Sequence, residues 1–389
     1  MPEDVIFFIS AQRIGAIRPD GSGECYPEFP VPNQAYWQMG LVLRDRRRAV
    51  LWSQEPPRNP NAAFHDRDGL AYARTHLWLY DFAERIPREI HLPPLMGVVG
   101  ELPGGGRLLV SGNIDNVTHL FTCDPDGGAR EDVYTGPGFA YGTALSPDGA
   151  GAAFHITNVP GRPGYEIYVF DLASRERTLI ASDPEYLHFG PVWSPDSQWV
   201  LYQRCAHRRD PGHEHSDICI SRADGTEHRL LTTGQRHWFG TSYGPADNHG
   251  GGSNQPTWSP DGKWITFTRC LPESQTAWVY RPDRPDRDHF NRDYRPDLAR
   301  GGTEICLIDA GTGDVAPITR DDPPTWNFRC VWSPDSSRLA FARAEVGCVP
   351  GLWVMDVDGG NRRFLTRGWK DRGADHGKWA CLACEPGQP

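Results

Sequence analysis

Several arginine and histidine residues of this chain stand at fixed distances from a repeated Ser-Pro-Asp sequence. An arginine follows the serine by ten residues in three copies, as Arg204, Arg269 and Arg343. His188 precedes one such serine by six residues, and Arg329 precedes another by four. Side chains that hold matching places in repeated units lie at similar levels of a repeat architecture. We therefore expect these residues to converge on one site that holds an anionic ligand.

Arginine beside a neutral imidazole suits the removal of a proton from the carbon next to a carboxylate. A positive charge neutralises the enolate as it develops, and a positioned base takes the proton. A neighbouring arginine also disfavours the protonated form of histidine. The predicted charge donors are Arg204, Arg269 and Arg329, and the predicted base is His188 or His249. This chemistry is β-elimination across a sugar uronate.

The Ser-Pro-Asp sequences are predicted to be hairpin turns that join two strands. Proline presets φ at the second turn position, aspartate can bond back to the backbone, and Gly or Ser follows. The four serines are at 146, 194, 259 and 333. A third strand is predicted in seven places, at 14–21, 77–81, 120–127, 167–171, 218–225, 305–313 and 352–359. The pattern predicts an all-β protein, a seven-bladed β-propeller formed as one domain by residues 1–389.

The two ends of the chain are expected to close this ring. The N-terminal copy at 14–21 has only the strand VIFFIS (5–10) ahead of it, and the segment DHGKWACLA (375–383) resembles an innermost strand with no blade after it. Joining these segments removes two open sheet edges. Blade seven is therefore predicted to consist of about residues 1–28 and 373–384.

Most of the extra sequence falls in connections that a propeller places on one face. These connections are 56–75, 157–164, 205–216, 234–252 and 270–302. Long loops on a rigid scaffold commonly carry function, although they can also be tolerated insertions. The further candidate contacts for a substrate are Arg343, Trp238, Trp278, Trp326, His155 and His289. The repeated arginines are about equally suited to a structural role, in which they bond loop carbonyls or aspartates.

Composition limits the class of ligand. The formal charge of −10 and the pI of about 5.8 argue against nucleic acid and against an anionic membrane surface. An acidic oligosaccharide or polysaccharide must therefore meet a local arginine cluster. The run at 5–10 is too short for a secretory signal. This predicts a cytoplasmic protein if the N-terminus is native, and a secreted or periplasmic protein if a signal has been removed.

The repeat resembles that of TolB/WD40-like propellers. The second half of the chain is similar to the polysaccharide lyases of propeller fold, which include oligogalacturonate, ulvan and rhamnose–glucuronate lyases. The resemblance rests on four segments, GGGSNQPTWSPDG (250–262), RDHFNRDY (287–294), NFRCVWSPDS (327–336) and GADHGKW (373–379). It implies a lyase that acts on a uronate-containing glycan.

The resemblance also implies roles for particular residues. In the ulvan-type enzymes a tyrosine acts with an arginine, and here Arg204 holds the place of that arginine while His188 replaces the tyrosine. Oligogalacturonate lyase implies a divalent cation, calcium or manganese, near the axis. The nearest ligand candidates for that cation are His376, Gln255 and His249.

Two other classes of function stay open. A non-catalytic TolB-like propeller would bind a protein or a glycan. A glycoside hydrolase would need a carboxylate pair, for which Asp217, Asp288 and Asp375 are candidates. A serine hydrolase is disfavoured because the predicted blades account for the sequence and leave no separate catalytic domain.

Overall fold

The computed structural model describes residues 3–56, 75–162, 165–206, 216–235, 254–280 and 292–383. These residues form β-strands and two single-turn 3-10 helices, at Pro296–Leu298 and Trp369–Asp371. No helix in these ranges has the length and hydropathy needed to span a membrane. The expected all-β fold is confirmed.

Six sheets of four strands and one of three form the seven blades. The chain begins with two strands of blade seven, β1 (Glu3–Ser10) and β2 (Arg13–Ile17). Blades one to three follow, as β3 (Tyr36–Val42), β4 (Arg48–Gln54), β5 (Thr75–Asp81) and β6 (Pro87–Glu89); β7 (Met96–Glu101), β8 (Leu108–Ile114), β9 (Val117–Cys123) and β10 (Glu131–Pro137); and β11 (Phe139–Leu145), β12 (Gly151–Thr157), β13 (Glu166–Asp171) and β14 (Arg177–Ala181).

The second half of the chain completes the ring. Blade four is β15 (Tyr186–Trp193), β16 (Trp199–Ala206), β17 (Asp217–Arg222) and β18 (His228–Leu230). Blade five is β19 (Thr257–Trp258), β20 (Trp264–Cys270), β23 (Thr303–Asp309) and β24 (Val315–Pro317), with an inserted hairpin of β21 (Trp278–Tyr280) and β22 (Arg292–Tyr294). Blade six is β25 (Trp326–Trp332), β26 (Arg338–Ala344), β27 (Gly351–Asp356) and β28 (Arg363–Thr366), and β29 (Asp375–Leu382) returns to blade seven. All seven predicted third strands are present.

Blade seven is closed by the pairing of β1 with β29, as the sequence predicts. The two strands are antiparallel, with Val5 opposite Ala380 and Ile6 opposite Trp379. Phe7, on β1, is only 1% exposed and packs against blade one. A buried apolar cluster spans every junction between neighbouring blades of the ring.

The Ser-Pro-Asp turns owe their stability to the serine hydroxyl. Ser333 Oγ donates to Asp335 Oδ1 at 2.6 Å and accepts from the backbone N of Arg338 at 2.9 Å. The same two bonds recur at the other serines, Ser146, Ser194 and Ser259. All four serines are at most 2% exposed. The hydroxyl therefore satisfies a backbone N–H that the tight turn leaves without a carbonyl.

The tryptophans that directly precede Ser194 and Ser333 pack between blades. Trp193 and Trp332 are each 8% exposed. Their ring N–H groups donate to backbone carbonyls of the preceding blade, at 2.9 Å to Ala144 and 3.4 Å to Thr257. These tryptophans hold neighbouring blades together rather than contacting a ligand.

Six of the seven innermost strands carry a β-bulge at the same level. The bulges lie at Gly40, at Val99, and at residues 142–143, 190–191, 329–330 and 376–377. The first residue of the last four has a positive φ, 57° at Gly142, 65° at Gly190, and 53° at both Arg329 and His376. Glycine adopts this conformation readily, whereas arginine and histidine must be held in it by their surroundings. Bulges that present such residues are frequent next to functional sites.

The turn chemistry predicts that Ser333→Ala lowers the free energy of unfolding by about 1–3 kcal/mol, because the buried N–H of Arg338 loses its acceptor. Ser337→Ala is the matched control, since its hydroxyl makes one bond to Asp335 on the exposed side of the turn. Denaturant unfolding monitored by tryptophan fluorescence measures both. Equal losses in the two variants would contradict the assignment.

Candidate functional site

His188 and Arg204 lie directly opposite each other on β15 and β16. The backbone N of His188 donates to the carbonyl of Tyr165, on the preceding blade, at 2.9 Å. The guanidinium of Arg204 lies over the ring of Tyr186, 4.5 Å from its centroid. The imidazole meets the edge of Tyr202 at 5.9 Å. The strand pairing thus brings a histidine and an arginine together among aromatic rings.

His188, Arg204 and the adjacent Gln203 contain buried polar atoms that the described residues leave without a hydrogen-bond partner. His188 is 5% exposed. His188 Nδ1, Arg204 Nε and Gln203 Nε2 are buried and have no hydrogen-bond partner among the described residues. Buried polar groups are nearly always bonded, so a group of exceptions needs an explanation. A ligand that bonds to these atoms provides one.

Burial holds His188 in its neutral form. The loss of solvation lowers the pKa of His188 to about 4, and the charge of Arg204 acts in the same direction, while Asp183 opposes it. The imidazole is therefore uncharged at neutral pH and able to accept a proton.

Two of the predicted arginines, the charge donor Arg269 and the substrate contact Arg343, are neutralised by carboxylates. Arg269 Nε is 2.5 Å from Glu304 Oε1. Arg343 is 2.6 Å from a carboxylate oxygen of Asp321, which also binds Arg362 at 2.9 Å. These arginines join strands and loops within their own blades, the structural role that the sequence leaves open. Among the described residues, no ion pair within 4.0 Å of this kind involves Arg204.

A second polar cluster links blades five, six and seven through Arg329. Its guanidinium donates to Asp375 Oδ2, and its backbone N donates to Asn254 Oδ1 at 2.9 Å. The same carboxylate lies 3.1 Å from His376 Nδ1 and accepts from the backbone N of His376 at 2.6 Å. Tyr36 of blade one lies within the electrostatic influence of this cluster. Burial, and secondly the charge of Asp375, raise the pKa of Tyr36 to about 12.

Further contacts extend this polar cluster to other blades around the axis. A Cβ atom placed on Gly190 would lie 2.8 Å from Gln255 Nε2, so the Gln255 side chain packs against the bulge of blade four. The backbone N of Gly190 also donates to His155 Nδ1, on blade three, at 3.4 Å. Polar contacts made at or beside the bulges therefore connect blades three to seven.

Other predicted residues have different outcomes. Trp326 is 1% exposed and packs with Phe328 and Ala342, so it is a core residue and not a sugar contact. Trp278 lies on β21, and its side chain is outside the described part. His249, Trp238 and His289 lie outside the described residues.

Sequence reasoning missed Tyr186, Gln203 and the pairing of Asp375 with Arg329. Tyr186 stands two residues before His188 and therefore on the same side of the strand, a signal that was available in the sequence. Asp375 directly precedes His376, but its ion pair with Arg329 joins two blades. Gln203, whose Oε1 accepts from Ser216 Oγ at 3.2 Å, gives no sequence signal of this kind.

The comparisons with known proteins agree with the fold. No family model matches the chain. TolB of the Tol-Pal system from Anaeromyxobacter dehalogenans (strain 2CP-1) is 32% identical over 111 residues, which are 28% of this chain and 18% of that protein. The TolB-like character of the repeat is thereby confirmed.

Solved structures extend the likeness to the whole ring. An oligogalacturonate lyase in complex with manganese has a TM-score of 0.55 and 13% identity, covering 93% of this chain and 85% of that chain. A puromycin-hydrolyzing peptidase from Mycobacterium tuberculosis has a TM-score of 0.58 and 13% identity, covering 93% of this chain and 52% of its own. At these identities the likeness establishes a shared propeller fold.

The low pKa of His188 predicts a specific loss of stability in acid. A histidine whose pKa falls from 6.5 unfolded to about 4 folded stabilises the fold above pH 6.5. That contribution declines as the pH falls from 6.5 towards 4. Between pH 7 and pH 4.5 the wild type should lose about 2 kcal/mol more than His188→Asn does, by denaturant unfolding at each pH.

His91→Asn is the control for this experiment, because the His91 side chain is 77% exposed. It should retain the pH dependence of the wild type. An unchanged pH dependence in His188→Asn would show that His188 is not held neutral by burial.

Proposed function

We propose that this protein is a lyase that cleaves a uronic-acid-containing oligosaccharide or polysaccharide by β-elimination. The observation that carries the proposal is the buried pair of His188 and Arg204, whose Nδ1 and Nε atoms have no partner among the described residues. Arg204 offers a positive charge to a carboxylate, and His188 offers a neutral base beside it. The acidic chain as a whole would repel such a ligand, so this local charge has to attract it.

The proposed reaction begins when the uronate carboxylate binds Arg204. His188 takes the proton from the carbon next to the carboxylate, and Arg204 stabilises the enolate charge that develops. The electron pair then forms a carbon–carbon double bond as the bond to the glycosidic oxygen breaks. The leaving oxygen takes up a proton, which protonated His188 can return when that oxygen lies on the same face of the ring.

The bound substrate itself would make His188 a stronger base. In the free protein the pKa of His188 is about 4. A carboxylate placed between His188 and Arg204 would offset the charge of the arginine and favour the protonated imidazole. The base would thus become effective only after an anionic sugar binds.

A divalent cation, calcium or manganese, is the other proposed means of neutralising the carboxylate. Its candidate ligands are His376, Gln255 and His249. His376 Nδ1 already bonds to Asp375, and no group of three or more His, Cys, Asp or Glu residues suited to a metal occurs in the described ranges. His249 lies outside the described residues, and no step of the reaction is assigned to a cation.

A non-catalytic propeller is the second candidate, because 111 residues of this chain are 32% identical to TolB of the Tol-Pal system. A glycoside hydrolase has less support. Asp375 is ion-paired with Arg329, Asp217 accepts bonds from Thr232 and from the backbone N of Gln235, and Asp288 lies outside the described residues.

The proposed reaction predicts an unsaturated uronate product, which is detected by its ultraviolet absorbance when the protein is incubated with a panel of uronate glycans. His188→Asn and Arg204→Met should each lower kcat/KM by about a hundredfold or more, because each removes the base or the charge that stabilises the transition state. Parallel reactions with a chelator test the contribution of a cation.

Arg222→Met is the matched control, since Arg222 also stacks on an aromatic ring of blade four, 4.7 Å from the centroid of Trp199. It should keep wild-type activity. Cleavage without ultraviolet absorbance would replace the lyase by a hydrolase, and failure to cleave any uronate glycan would favour the non-catalytic propeller.

A further inference from the structure

A cavity of about 510 Å³ lies beside the two outer strands of blade six. Its lining includes Trp353 on β27, Phe364 on β28 and Cys348 in the connection between β26 and β27. The described residues that line it come from blade six and from the loops that precede and follow that blade. The volume is within the range of roughly 300–1,000 Å³ that is typical of small-molecule sites. The cavity is therefore large enough for a small organic ligand.

Gly351, the first residue of β27, explains how the Phe364 ring reaches this cavity. In blades three, four and five the same place holds an acid, Glu166, Asp217 and Glu304, each paired with the residue ten positions after the turn serine. The backbone of Gly351 is not in the left-handed region, so its conformation does not require glycine. A Cβ atom on Gly351 would lie 2.9 Å from Phe364 Cε2, which is too close. The glycine therefore makes room for the aromatic ring.

The Phe364 ring is ordered by its neighbours and is still accessible. It meets Trp353 at 5.5 Å in an edge contact of 67°, and the guanidinium of Arg367 lies 6.0 Å from its centroid. With these neighbours in place Phe364 is 43% exposed. At the equivalent place in their outermost strands, blades three and four have leucines, Leu179 and Leu230. Blade six thus presents an aromatic ring where these blades present an aliphatic side chain.

Three charged side chains that line the cavity have polar ends that can bind a ligand. These are Glu345, Arg367 and Asp371, and all three are exposed. Within the described part of the chain, none of these side chains makes a hydrogen bond or an ion pair within 4.0 Å. Arg343, which also lines the cavity, is ion-paired. The cavity therefore offers both hydrogen-bond donors and acceptors, with charges of opposite sign.

This mixture of charges favours a neutral ligand. The carboxylates of Glu345 and Asp371 repel an anion, and Arg367 repels a cation. A sugar ring has hydroxyl groups that accept from a guanidinium and donate to a carboxylate. The C–H face of the same ring packs well against an aromatic side chain.

We propose that this cavity is a binding site for a neutral pyranose unit of an oligosaccharide. The C–H face of the sugar packs on Phe364, and its hydroxyl groups bond to Arg367 and to the carboxylates of Glu345 and Asp371. The site uses no residue of the pair His188 and Arg204, so it does not depend on the proposed lyase reaction.

Cys348 provides a reporter inside the cavity, because it is exposed and lines it. Labelling with a maleimide followed by peptide mass spectrometry measures the rate at Cys348 separately from the other thiols. Cellotetraose, xylotetraose and mannotetraose are the neutral probes, and tetragalacturonate is the anionic probe. At about ten times its Kd, a neutral probe should slow the labelling of Cys348 about tenfold, because only the unoccupied cavity reacts. Tetragalacturonate should leave the rate unchanged.

Calorimetric titration of variants with the protecting probe locates its binding site. Phe364→Ala should weaken binding about fivefold to tenfold, in line with the energy of an aromatic stacking contact. Phe364→Tyr keeps the ring and should bind like the wild type. Leu179→Ala is the matched control, since Leu179 holds the equivalent place on β14 and is 41% exposed. Its removal should leave the affinity unchanged.

Arg367→Met removes the guanidinium donors and should also weaken binding about fivefold to tenfold. Arg363→Met is its control, because the guanidinium of Arg363 donates to the carbonyl of Pro19 in blade seven. This variant should bind like the wild type. Thermal unfolding confirms that each variant is folded at the titration temperature.

Three results would overturn the inference: no protection of Cys348 by any neutral probe, equal affinity of Phe364→Ala and wild type for the protecting probe, or stronger protection by tetragalacturonate than by every neutral probe. The proposed lyase is tested separately. His188→Asn should bind the neutral probe like the wild type, so loss of lyase activity leaves this site intact. A loss of affinity in His188→Asn would place the probe on blade four and refute the site on blade six.

Discussion

The pairing of β1 with β29 is the constraint on which the rest of this structure depends. An open row of seven sheets would expose two strand edges and leave the innermost strands free to splay. Closure through Val5 and Ala380 makes each blade the neighbour of two others, and buried clusters fill every junction. The innermost strands are then held around one axis. Residues of different blades, such as Arg329 and Asp375, meet beside this axis.

The bulges place different residue types at one level of an otherwise regular ring. In blades three and four the left-handed residue is glycine, at Gly142 and Gly190, where the conformation costs little. In blades six and seven arginine and histidine occupy the same place, and Asp375 binds both side chains. A buried ion pair is costly to desolvate, so this one depends on the added bonds from the backbone N of His376 and from its imidazole. The strained bulges are thereby held in a single arrangement.

Much of the fold could be predicted from the sequence, because its signals are local. The Ser-Pro-Asp turn contains its own hydrogen-bond acceptor, and the closing strands at 5–10 and 375–383 complete one blade between them. The site could be predicted only in part. Arg269 and Arg343 have the spacing of Arg204, yet Arg269 is paired with Glu304 of the neighbouring strand and Arg343 with Asp321 of the loop before β25.

The availability of Arg204 has a structural cause. Asp217 stands directly opposite Arg204 on β17, a pairing that by itself favours an ion pair. Asp217 instead accepts bonds from Thr232 at 3.3 Å and from the backbone N of Gln235 at 3.2 Å. Its carboxylate is thus drawn to the loop that follows β18, and the arginine stacks on Tyr186. In blade five, the residue directly opposite Arg269 is Glu304, and its carboxylate forms the ion pair with Arg269. The arginine at this backbone position is therefore ion-paired in blade five, whereas in blade four it has no carboxylate partner within 4.0 Å among the described residues.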